Sequence, residues 1–284
     1  MSFTSAEHPA PEHFLVHFSD THFLAPHTTT LHGVARYYDH LAQLLESVAE
    51  YAIAPEALIF SGDLTDHGEE HAYASLRALV EPVAQRMGAR VIWIMGNHDD
   101  RTNFRHMLLD EQPSNPLAPC DSVHWLGGLR IIALDTSVPG QHYGELSDAQ
   151  LEWLATELRS TAPEGTILAM HHPPIPCIQA QARSVELRGQ HRLKEVIYGS
   201  DIRSILAGHV HYSTFATFAD IPVSVSMGTC YTQDLLTPKR GTRGRDAGQG
   251  MHFVHVYPDT IMHSVVQQPG GETVGRFVPG DATQ

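Results

Sequence analysis

The first 135 residues alternate short apolar runs with longer amphipathic stretches. Each run has the length of a buried strand, and each stretch places apolar residues at helical spacing. Strands that alternate with helices predict βαβ units and a parallel sheet that is buried on both faces. The predicted strands are Phe14–Phe18, Ala57–Phe60 and Arg90–Met95, and the predicted helices cover residues 33–52 and 69–86.

Apolar runs continue in the second half of the chain, but amphipathic stretches become rare. One helix is predicted over residues 147–159, because Ser147 as N-cap and Gln150 three residues later form a capping-box pattern. The predicted strands of this half include Leu129–Leu134, Ile167–Met170 and Ile202–Ala207.

The tail of the chain, residues 213–267, holds short alternating strands with little helix. We therefore expect a second sheet, mixed or antiparallel, that packs on the first. Residues 229–250 form a loop too long for a simple connection, which indicates a functional or interfacial role. We expect one domain over residues 1–284, with about residues 1–12 and 268–284 as flexible ends.

Composition restricts the function more than the fold. The net charge is −14 with histidine neutral, so the chain lacks the basic surface that binds nucleic-acid polymers. A phosphate group would therefore need a local positive centre. The chain also contains 21 histidines, and histidine is the commonest metal ligand, although most of the 21 are expected to be solvated surface residues.

Cysteine usage and the N-terminal residues indicate the cellular compartment in which the protein is expected. Three cysteines without a CxxC pair argue against a disulfide framework and against a thiolate zinc site. The N-terminal residues show neither the basic nor the apolar segment of a signal peptide. No apolar run approaches the roughly 18 residues of a membrane span. We expect a cytoplasmic protein that does not contact the membrane.

Metal-binding and proton-carrying side chains follow five of the apolar runs. In parallel sheets, ligands bind at the carboxyl ends of the strands. Residues i and i+2 of a strand face the same way, so we expect Asp20 with His22, and His209 with His211, to point at one site. Glycines within these stretches allow a sharp turn and a close approach to a ligand. The stretches are Asp20-Thr21-His22, Gly62-Asp63, Gly96-Asn97-His98-Asp99, His171-His172 and Gly208-His209-Val210-His211.

Two carboxylates, one amide oxygen and four imidazoles are candidate metal ligands. One metal ion takes four to six ligands, so a set of this size with a shared carboxylate suits two ions about 3.5–4 Å apart. Each stretch alone is a weak signal, and Asp20 or Asp63 alone could be a helix N-cap. The five together favour a metal site. The candidate ligands are Asp20, His22, Asp63, Asn97, His171, His209 and His211.

The motifs D-x-H, GD, GNHD, H and GHxH, in this order, resemble those of the calcineurin-like metallophosphoesterase superfamily. GDLTDHG with GNHDDR is similar to the class III cyclic nucleotide phosphodiesterases, and the similarity covers most of the chain, including HHPPIP, LAGHVHYST and GTRGRD. The resemblance implies an α/β fold, a four-layer αββα sandwich with two mixed β-sheets flanked by helices and a metal site at the strand C-terminal ends. It also implies a homodimer.

The resemblance further implies how the ligands divide between two metal ions. Spacing alone does not separate His209 from His211. The family favours an iron–manganese or a manganese–manganese pair, and the mixed nitrogen and oxygen donors also admit zinc and cobalt. The first ion would take Asp20, His22, Asp63 and His211, and the second would take Asp63, Asn97, His171 and His209.

Catalytic and substrate-binding roles follow from the remaining motif residues. His98 is expected in an extended segment, pointing away from Asn97 and toward the substrate. In related phosphoesterases a residue matching Asp66 orients this histidine. We therefore assign catalysis to His98 and Asp66, and substrate contacts to Asn97, His98 and His209. His67 stands where protein phosphatases have arginine, which counts against a phosphoprotein substrate.

These residues predict a metal-dependent phosphodiesterase that hydrolyses cyclic nucleotides, such as 3′,5′-cAMP to 5′-AMP. A metal-bridging hydroxide would attack phosphorus, and His98 would stabilise or protonate the leaving oxygen. The alternative is a broader phosphodiesterase acting on 2′,3′-cyclic nucleotides or other small phosphodiesters, because the sequence shows no base pocket. A non-catalytic metal-bound scaffold is a further class, which the complete ligand set disfavours.

Four other residues are left open by the sequence. His172, beside a Pro-Pro turn, is expected to be structural. His142 either borders the site or is a solvated loop residue. Arg243 and Arg245 are expected to be solvated, with a phosphate or a partner chain as the alternative contact.

Overall fold

Two β-sheets packed face to face form the centre of the computed structural model, which describes residues 7–25, 29–236, 241–270 and 272. α-Helices cover the outer face of each sheet, which gives the expected four-layer sandwich. The helices are α1 (Tyr37–Ala49), α2 (Glu70–Met87), α3 (Arg101–Leu108), α4 (Asp148–Glu157) and α5 (Gln190–Ile197), with a short 3-10 helix at Ala180–Val185. The strands are β1 (His13–Phe18), β2 (Ala57–Ser61), β3 (Arg90–Ile94), β4 (Ser122–Leu126), β5 (Leu129–Leu134), β6 (Thr166–Met170), β7 (Ile202–Ala207), β8 (Thr214–Phe218), β9 (Ile221–Val225), β10 (Thr232–Gln233), β11 (Gly244–Arg245), β12 (Gly250–Val256) and β13 (Ile261–Gln267).

The first sheet has the strand order β13-β12-β1-β2-β3. Its three predicted strands β1, β2 and β3 are confirmed and run parallel. The sheet is mixed, because β12 pairs antiparallel with β1 and β13 pairs antiparallel with β12. The expectation that the tail of the chain belongs to the second sheet is therefore wrong for these last two strands.

The second sheet has the order β4-β5-β6-β7-β9-β8. Strands β5, β6, β7 and β9 are parallel, and the two edge strands β4 and β8 are antiparallel to their neighbours. The predicted mixed second sheet is confirmed. The two short strands β10 and β11 form a separate antiparallel ribbon.

Three apolar layers hold the four structural layers together. In β1, Phe14, Val16 and Phe18 pack against the helices of the first sheet. Leu15, on the opposite face, packs in the layer between the sheets. A third layer joins the second sheet to α4 and α5. Because the strand side chains alternate, each central strand must be apolar on both faces, which explains the unbroken apolar runs of the sequence.

Helix boundaries follow local backbone chemistry. The capping box of α4 is confirmed, with the Ser147 hydroxyl accepting from the Gln150 N–H and the Gln150 side chain accepting from the Ser147 N–H. Helix α1 begins later than predicted because a tight turn precedes it. His32 and Gly33 have φ values of 50° and 73°, and the Leu31 N–H donates to the Ala35 carbonyl at 2.8 Å.

Within the described part of the chain, no helix is long and apolar enough to cross a membrane. Much of the chain in the two ends that were expected to be flexible lies outside the described residues, namely residues 1–6, 271 and 273–284. The flexibility of the ends therefore stays a prediction.

Arg130 on β5 is a charged side chain in the interior, only 1% exposed. Its guanidinium donates to the Thr166 hydroxyl at 2.9 Å and to both carboxylate oxygens of Asp201, at 2.9 and 3.1 Å. It also donates to the carbonyl of Glu157 at the end of α4. These bonds join the amino ends of β5, β6 and β7 to the helix that covers them.

We expect Arg130→Met to lower the free energy of unfolding by about 3–5 kcal/mol, because the variant removes the cation that pairs with Asp201. That carboxylate then keeps only the Ala162 N–H and the Thr166 hydroxyl as donors among the described residues. Urea unfolding of the purified protein measures the change. The matched control is Arg159→Met, at an exposed position just beyond the end of α4, which should change stability by less than about 0.5 kcal/mol. Equal loss in both variants would show that the buried pair contributes no net stability.

Candidate metal centre

Five of the candidate ligands lie just beyond strand ends in the left-handed backbone region. The φ values are 54° for Asp20, 45° for His22, 48° for Asp63, 76° for His209 and 56° for His211. Strand alternation therefore does not aim these side chains, and that part of the sequence prediction is wrong. Left-handed residues other than glycine are strained and persist where the surroundings hold them, which is typical of functional sites.

Glycines let the ligand-bearing loops approach one another closely, as expected from the sequence. A β-carbon on Gly96 would lie 2.1 Å from the backbone nitrogen of Asp63. A β-carbon on Gly208 would lie 1.8 Å from the Ser19 hydroxyl oxygen. Any side chain at these two positions would push the ligand loops apart.

The first group of ligand atoms gathers around the Nε2 atoms of His22 and His211, which are 3.2 Å apart. Asp63 Oδ2 lies 3.5 Å from the His22 nitrogen, and Asp20 Oδ1 lies 3.4 Å from the His211 nitrogen. All four side chains are buried. Two imidazoles and two carboxylates thus point at one small volume.

The second group gathers around His171 Nε2. This atom lies 3.2 Å from His209 Nδ1, 3.2 Å from Asn97 Oδ1 and 3.3 Å from Asp63 Oδ2. Asp63 Oδ2 therefore belongs to both groups. The structure brings all seven candidate ligands together, divided in the way that the family resemblance implies.

The outer ring nitrogens of the four imidazoles each face an acceptor. His22 Nδ1 donates to Asp66 Oδ1 at 2.8 Å. The other three donate to backbone carbonyl groups at 2.8–3.2 Å: His171 to Ser61, His209 to Val185, and His211 to Tyr231. These bonds place the ring proton on the outer nitrogen and leave the inner nitrogen of each ring available as a ligand.

In each facing pair of imidazoles, His22 with His211 and His171 with His209, the two pKa values are shifted in opposite directions. Burial lowers the pKa of His209 to about 3 and that of His211 to about 4. Burial also acts against protonation of His171, but the Asp63 carboxylate outweighs it and raises the pKa to about 9. The pKa of His22 is likewise raised by its carboxylate neighbours against the effect of burial. The carboxylates therefore favour a positive charge on His171 and His22, whereas burial disfavours one on His209 and His211.

The donor set fits two metal ions. Imidazole nitrogens together with carboxylate and amide oxygens suit first-row divalent metals, and each group supplies four such atoms. Cys230 lies close to the site, with Sγ 3.7 Å from His211 Nδ1, the nitrogen that faces outward. Burial raises the pKa of its thiol well above the usual value, which disfavours the thiolate form.

The structure corrects the expected contact between Asp66 and His98. His98 lies in a turn and not in an extended segment. Its Nδ1 donates to the backbone carbonyl of Asp66 at 2.9 Å, whereas the Asp66 carboxylate is 3.7 Å away. That carboxylate accepts instead from His22. Asp66 therefore holds His98 through its main chain and a metal-facing histidine through its side chain.

Asp99 connects the two loops that carry Asp63 and Asn97. Its carboxylate accepts from the backbone N–H groups of Leu64, Thr65 and Gly96 at 2.9–3.1 Å. Burial, followed by the charge of Asp63, raises its pKa to about 6. The last residue of the GNHD motif thus positions the loops and does not face the ligand atoms.

The structure shows the positions of His172 and His142, whose roles the sequence left open. His172 is buried, and its ring nitrogens contact the Thr136 hydroxyl at 2.8 Å and the His142 carbonyl at 3.2 Å, which fits the expected structural role. His142 borders the site, since its Nδ1 lies 3.2 Å from Asn97 Nδ2.

A cavity of about 340 Å³ opens beside the two ligand groups. Asn97, His98 and His209, the residues assigned to substrate contacts, all line it. Tyr231 and Gln233 also line it, and sequence reasoning missed both. The only signal for them was the unusual length of the 229–250 loop that carries them.

That loop forms the mouth of the cavity through the β10–β11 ribbon, although residues 237–240 within it lie outside the described part of the chain. Arg243 Nη2 and Arg245 Nε both donate to Asp234 Oδ2, at 2.6 and 2.7 Å. The two arginines therefore brace the ribbon internally. The expectation that they are only solvated is incomplete, because each pairs with an acid of the same loop.

Comparison with known proteins agrees with this geometry. The family model described as calcineurin-like phosphoesterase matches residues 15–213. The chain is 56% identical over 279 residues to a cAMP/cGMP dual specificity phosphodiesterase of Mycobacterium tuberculosis, covering 98% of this chain and 87% of the relative.

A probable cyclic nucleotide phosphodiesterase of Rhodococcus erythropolis is also 56% identical, with 99% of this chain and 92% of the relative covered. Among solved structures, a dimetal phosphatase from Danio rerio superposes with a TM-score of 0.66 at 13% identity, covering 91% of this chain and 96% of that one, which shows a shared fold. On the family model and the two relatives, the chain belongs to the calcineurin-like phosphoesterase family.

Proposed function

We propose that this protein is a dinuclear metal-dependent phosphodiesterase that hydrolyses 3′,5′-cAMP to 5′-AMP. The observation that carries the proposal is Asp63 Oδ2, which lies 3.5 Å from His22 Nε2 and 3.3 Å from His171 Nε2 and so belongs to two ligand groups at once. Two relatives that are each 56% identical are named as cyclic nucleotide phosphodiesterases.

The proposed pair of ions would be held by the two ligand groups, with Asp63 in common. When bound, such ions lower the pKa of a coordinated water from about 15.7 toward 7 and stabilise charge on a phosphate group. On a chain of net charge −14, they also supply the positive centre that an anionic substrate requires.

The protein's own residues orient this site and handle the leaving group. The outer hydrogen bonds of the four imidazoles hold their inner nitrogens toward the cavity. The Nδ1–H group of His98 donates a hydrogen bond to the Asp66 carbonyl. Nε2 is therefore the nitrogen that can donate to the leaving oxygen when the ring is protonated. Its side chain is 30% exposed, consistent with access from the cavity.

Three finer features are part of the proposal. We propose an iron–manganese pair, supported by the mixed nitrogen and oxygen donors and by the family resemblance. Metal analysis of protein purified without added metal tests it. We also propose a homodimer, to be checked by light scattering, and action in the cytoplasm, which agrees with the three free cysteines.

The second candidate is a broader phosphodiesterase that also accepts 2′,3′-cyclic nucleotides or other small phosphodiesters. It is favoured by one observation: the ligand groups would contact only the phosphate, and the adjoining cavity is open to solvent. We expect kcat/KM for 3′,5′-cAMP to exceed that for 2′,3′-cAMP and for bis(p-nitrophenyl) phosphate, with the monoester p-nitrophenyl phosphate slowest. Faster cleavage of the monoester than of every diester would contradict a phosphodiesterase.

Asp63→Asn should remove the shared carboxylate charge, so that both metal content and hydrolysis fall. We expect kcat/KM to drop by more than the roughly 10–100-fold that loss of a supporting outer partner typically costs. Metal analysis and cAMP turnover on one preparation measure both effects. Asp121→Asn, the same change at a partly buried acid of the second sheet, is the control and should retain both. An Asp63→Asn protein with full metal content and rate would refute the shared-carboxylate arrangement.

His98→Ala should keep the metal ions and lose rate, by about 10²–10⁴-fold with cAMP. The loss should be much smaller with bis(p-nitrophenyl) phosphate, because p-nitrophenolate leaves without a proton and a ribose alkoxide does not. His106→Ala on the exposed face of α3 is the matched control. Stoichiometric loss of metal in His98→Ala, or equal rate losses on both substrates, would show that His98 is not the acid.

A further inference from the structure

A second cavity of about 420 Å³ adjoins the cavity beside the metal ligands. The two cavities share His32, Tyr231, Gln233 and Thr242 as lining residues. A ligand whose phosphate lies at the metal ligands can therefore extend into the second cavity without leaving the protein surface. Each cavity has the size of a typical small-molecule site.

Two structural elements build the walls of this second cavity. One is the turn before α1, which supplies buried Leu31 and Ala35 as an apolar wall. The other is the β10–β11 ribbon, in which Gln233 pairs with Gly244. The Gln233 N–H donates to the His211 carbonyl at 3.0 Å, so the ribbon is attached directly to a metal-facing residue.

Aromatic rings stand at the boundary between the cavities. The Tyr231 ring stacks on His211, with ring centroids 4.3 Å apart and 29° between the ring planes. His32 meets the same tyrosine edge to face, with centroids 5.4 Å apart. A flat heterocycle that enters the second cavity from the metal ligands passes these rings, which offer stacking contacts.

The side-chain carbonyl oxygen of Gln233, Oε1, is buried without a hydrogen-bond partner among the residues that the structure describes. A buried carbonyl oxygen without a partner is costly, so a ligand that donates a hydrogen bond there recovers that cost. The backbone of Gln233 is held by its pairing with Gly244 in the ribbon and by its bond to the His211 carbonyl.

We propose that the second cavity holds the purine base of the cyclic nucleotide and that Gln233 reads its hydrogen-bonding edge. This inference rests on the proposed function. A glutamine amide presents a donor and an acceptor side by side. It accepts from the adenine 6-amino group while donating to a ring nitrogen. After a half-turn of the amide it donates to guanine O6 and accepts from guanine N1–H. One residue therefore accommodates both purines.

The charged residues of the cavity argue against a second phosphate as its occupant. Arg245 lines the cavity, but its Nε donates to Asp234 at 2.7 Å. Asp246 also lines it and adds negative charge, paired with His40 at 3.3 Å. A neutral base suits this wall better than an anion does.

The test compares Gln233→Glu and Gln233→Ala with the wild-type protein on cAMP, cGMP and bis(p-nitrophenyl) phosphate, which has no base. A carboxylate only accepts hydrogen bonds, so Gln233→Glu should change the ratio of kcat/KM for cAMP and cGMP by at least about tenfold. Gln233→Ala should raise KM for both nucleotides by about 5–100-fold. Turnover of the base-free diester reports any general damage to the site.

Two further measurements keep the test decisive if a variant folds poorly. Purine riboside 3′,5′-cyclic phosphate lacks the 6-amino group, so the wild-type protein should turn it over about 5–100-fold less efficiently than cAMP. In Gln233→Ala this difference should disappear. Gln85→Glu on the exposed face of α2 is the matched control and should keep the wild-type base preference.

Unchanged base preference in both Gln233 variants would overturn the inference. A change of base preference in Gln181→Ala would also overturn it, because Gln181 lines the cavity beside the metal ligands and not the second cavity. Equal losses on all three substrates would assign Gln233 a structural role and would also overturn it. Failure of the proposed function would look different, since the wild-type protein itself would then cleave bis(p-nitrophenyl) phosphate and neither cyclic nucleotide.

Discussion

Two imidazole nitrogens that face each other at 3.2 Å need a cation between them, and this protein builds that arrangement twice. The outer nitrogen of every one of these rings donates to a fixed acceptor, so the inner nitrogens present lone pairs toward each other. A single carboxylate oxygen of Asp63 lies beside both pairs. Positive charge at both positions would relieve the repulsion between these lone pairs, and the arrangement therefore fits two metal ions that share one ligand.

The surrounding fold supplies the rigidity that such an arrangement requires. Buried strands bring the ligand-bearing loops to one edge of the sandwich, and left-handed residues turn the chain just beyond β1, β2 and β7. Asp99 joins two of these loops through three backbone N–H groups, and Gly96 and Gly208 allow the loops to touch. Most of the interactions that position the candidate ligands thus join a side chain to the backbone of another loop, and glycines and turns allow these loops to approach.

In the proposed function, different parts of the molecule would bind the phosphate and the base. The seven candidate ligands lie in loops at the ends of both sheets, and His98 lines the cavity beside them. The walls of the adjoining cavity come from the turn before α1 and from the β10–β11 ribbon. The segment that carries Tyr231 and Gln233 is attached to the ligand loops at His211, through the Tyr231 carbonyl and the Gln233 N–H.

The sequence by itself determined the main strands, the mixed α/β class and the seven candidate ligands that the fold brings together, because apolar runs and the residues that follow them are local features. Tertiary structure decided the rest. Pairing of β12 with β1 depends on contacts between residues more than 200 positions apart. The Asp66 carboxylate hydrogen-bonds to His22 and not to His98, the partner that the sequence predicts. This difference depends on side-chain directions after a left-handed turn, which sequence spacing does not encode. The cavity walls beside the candidate ligands likewise come from segments that meet only in the folded chain. The length of the 229–250 loop pointed to a role for the loop but not to Tyr231 and Gln233 in particular.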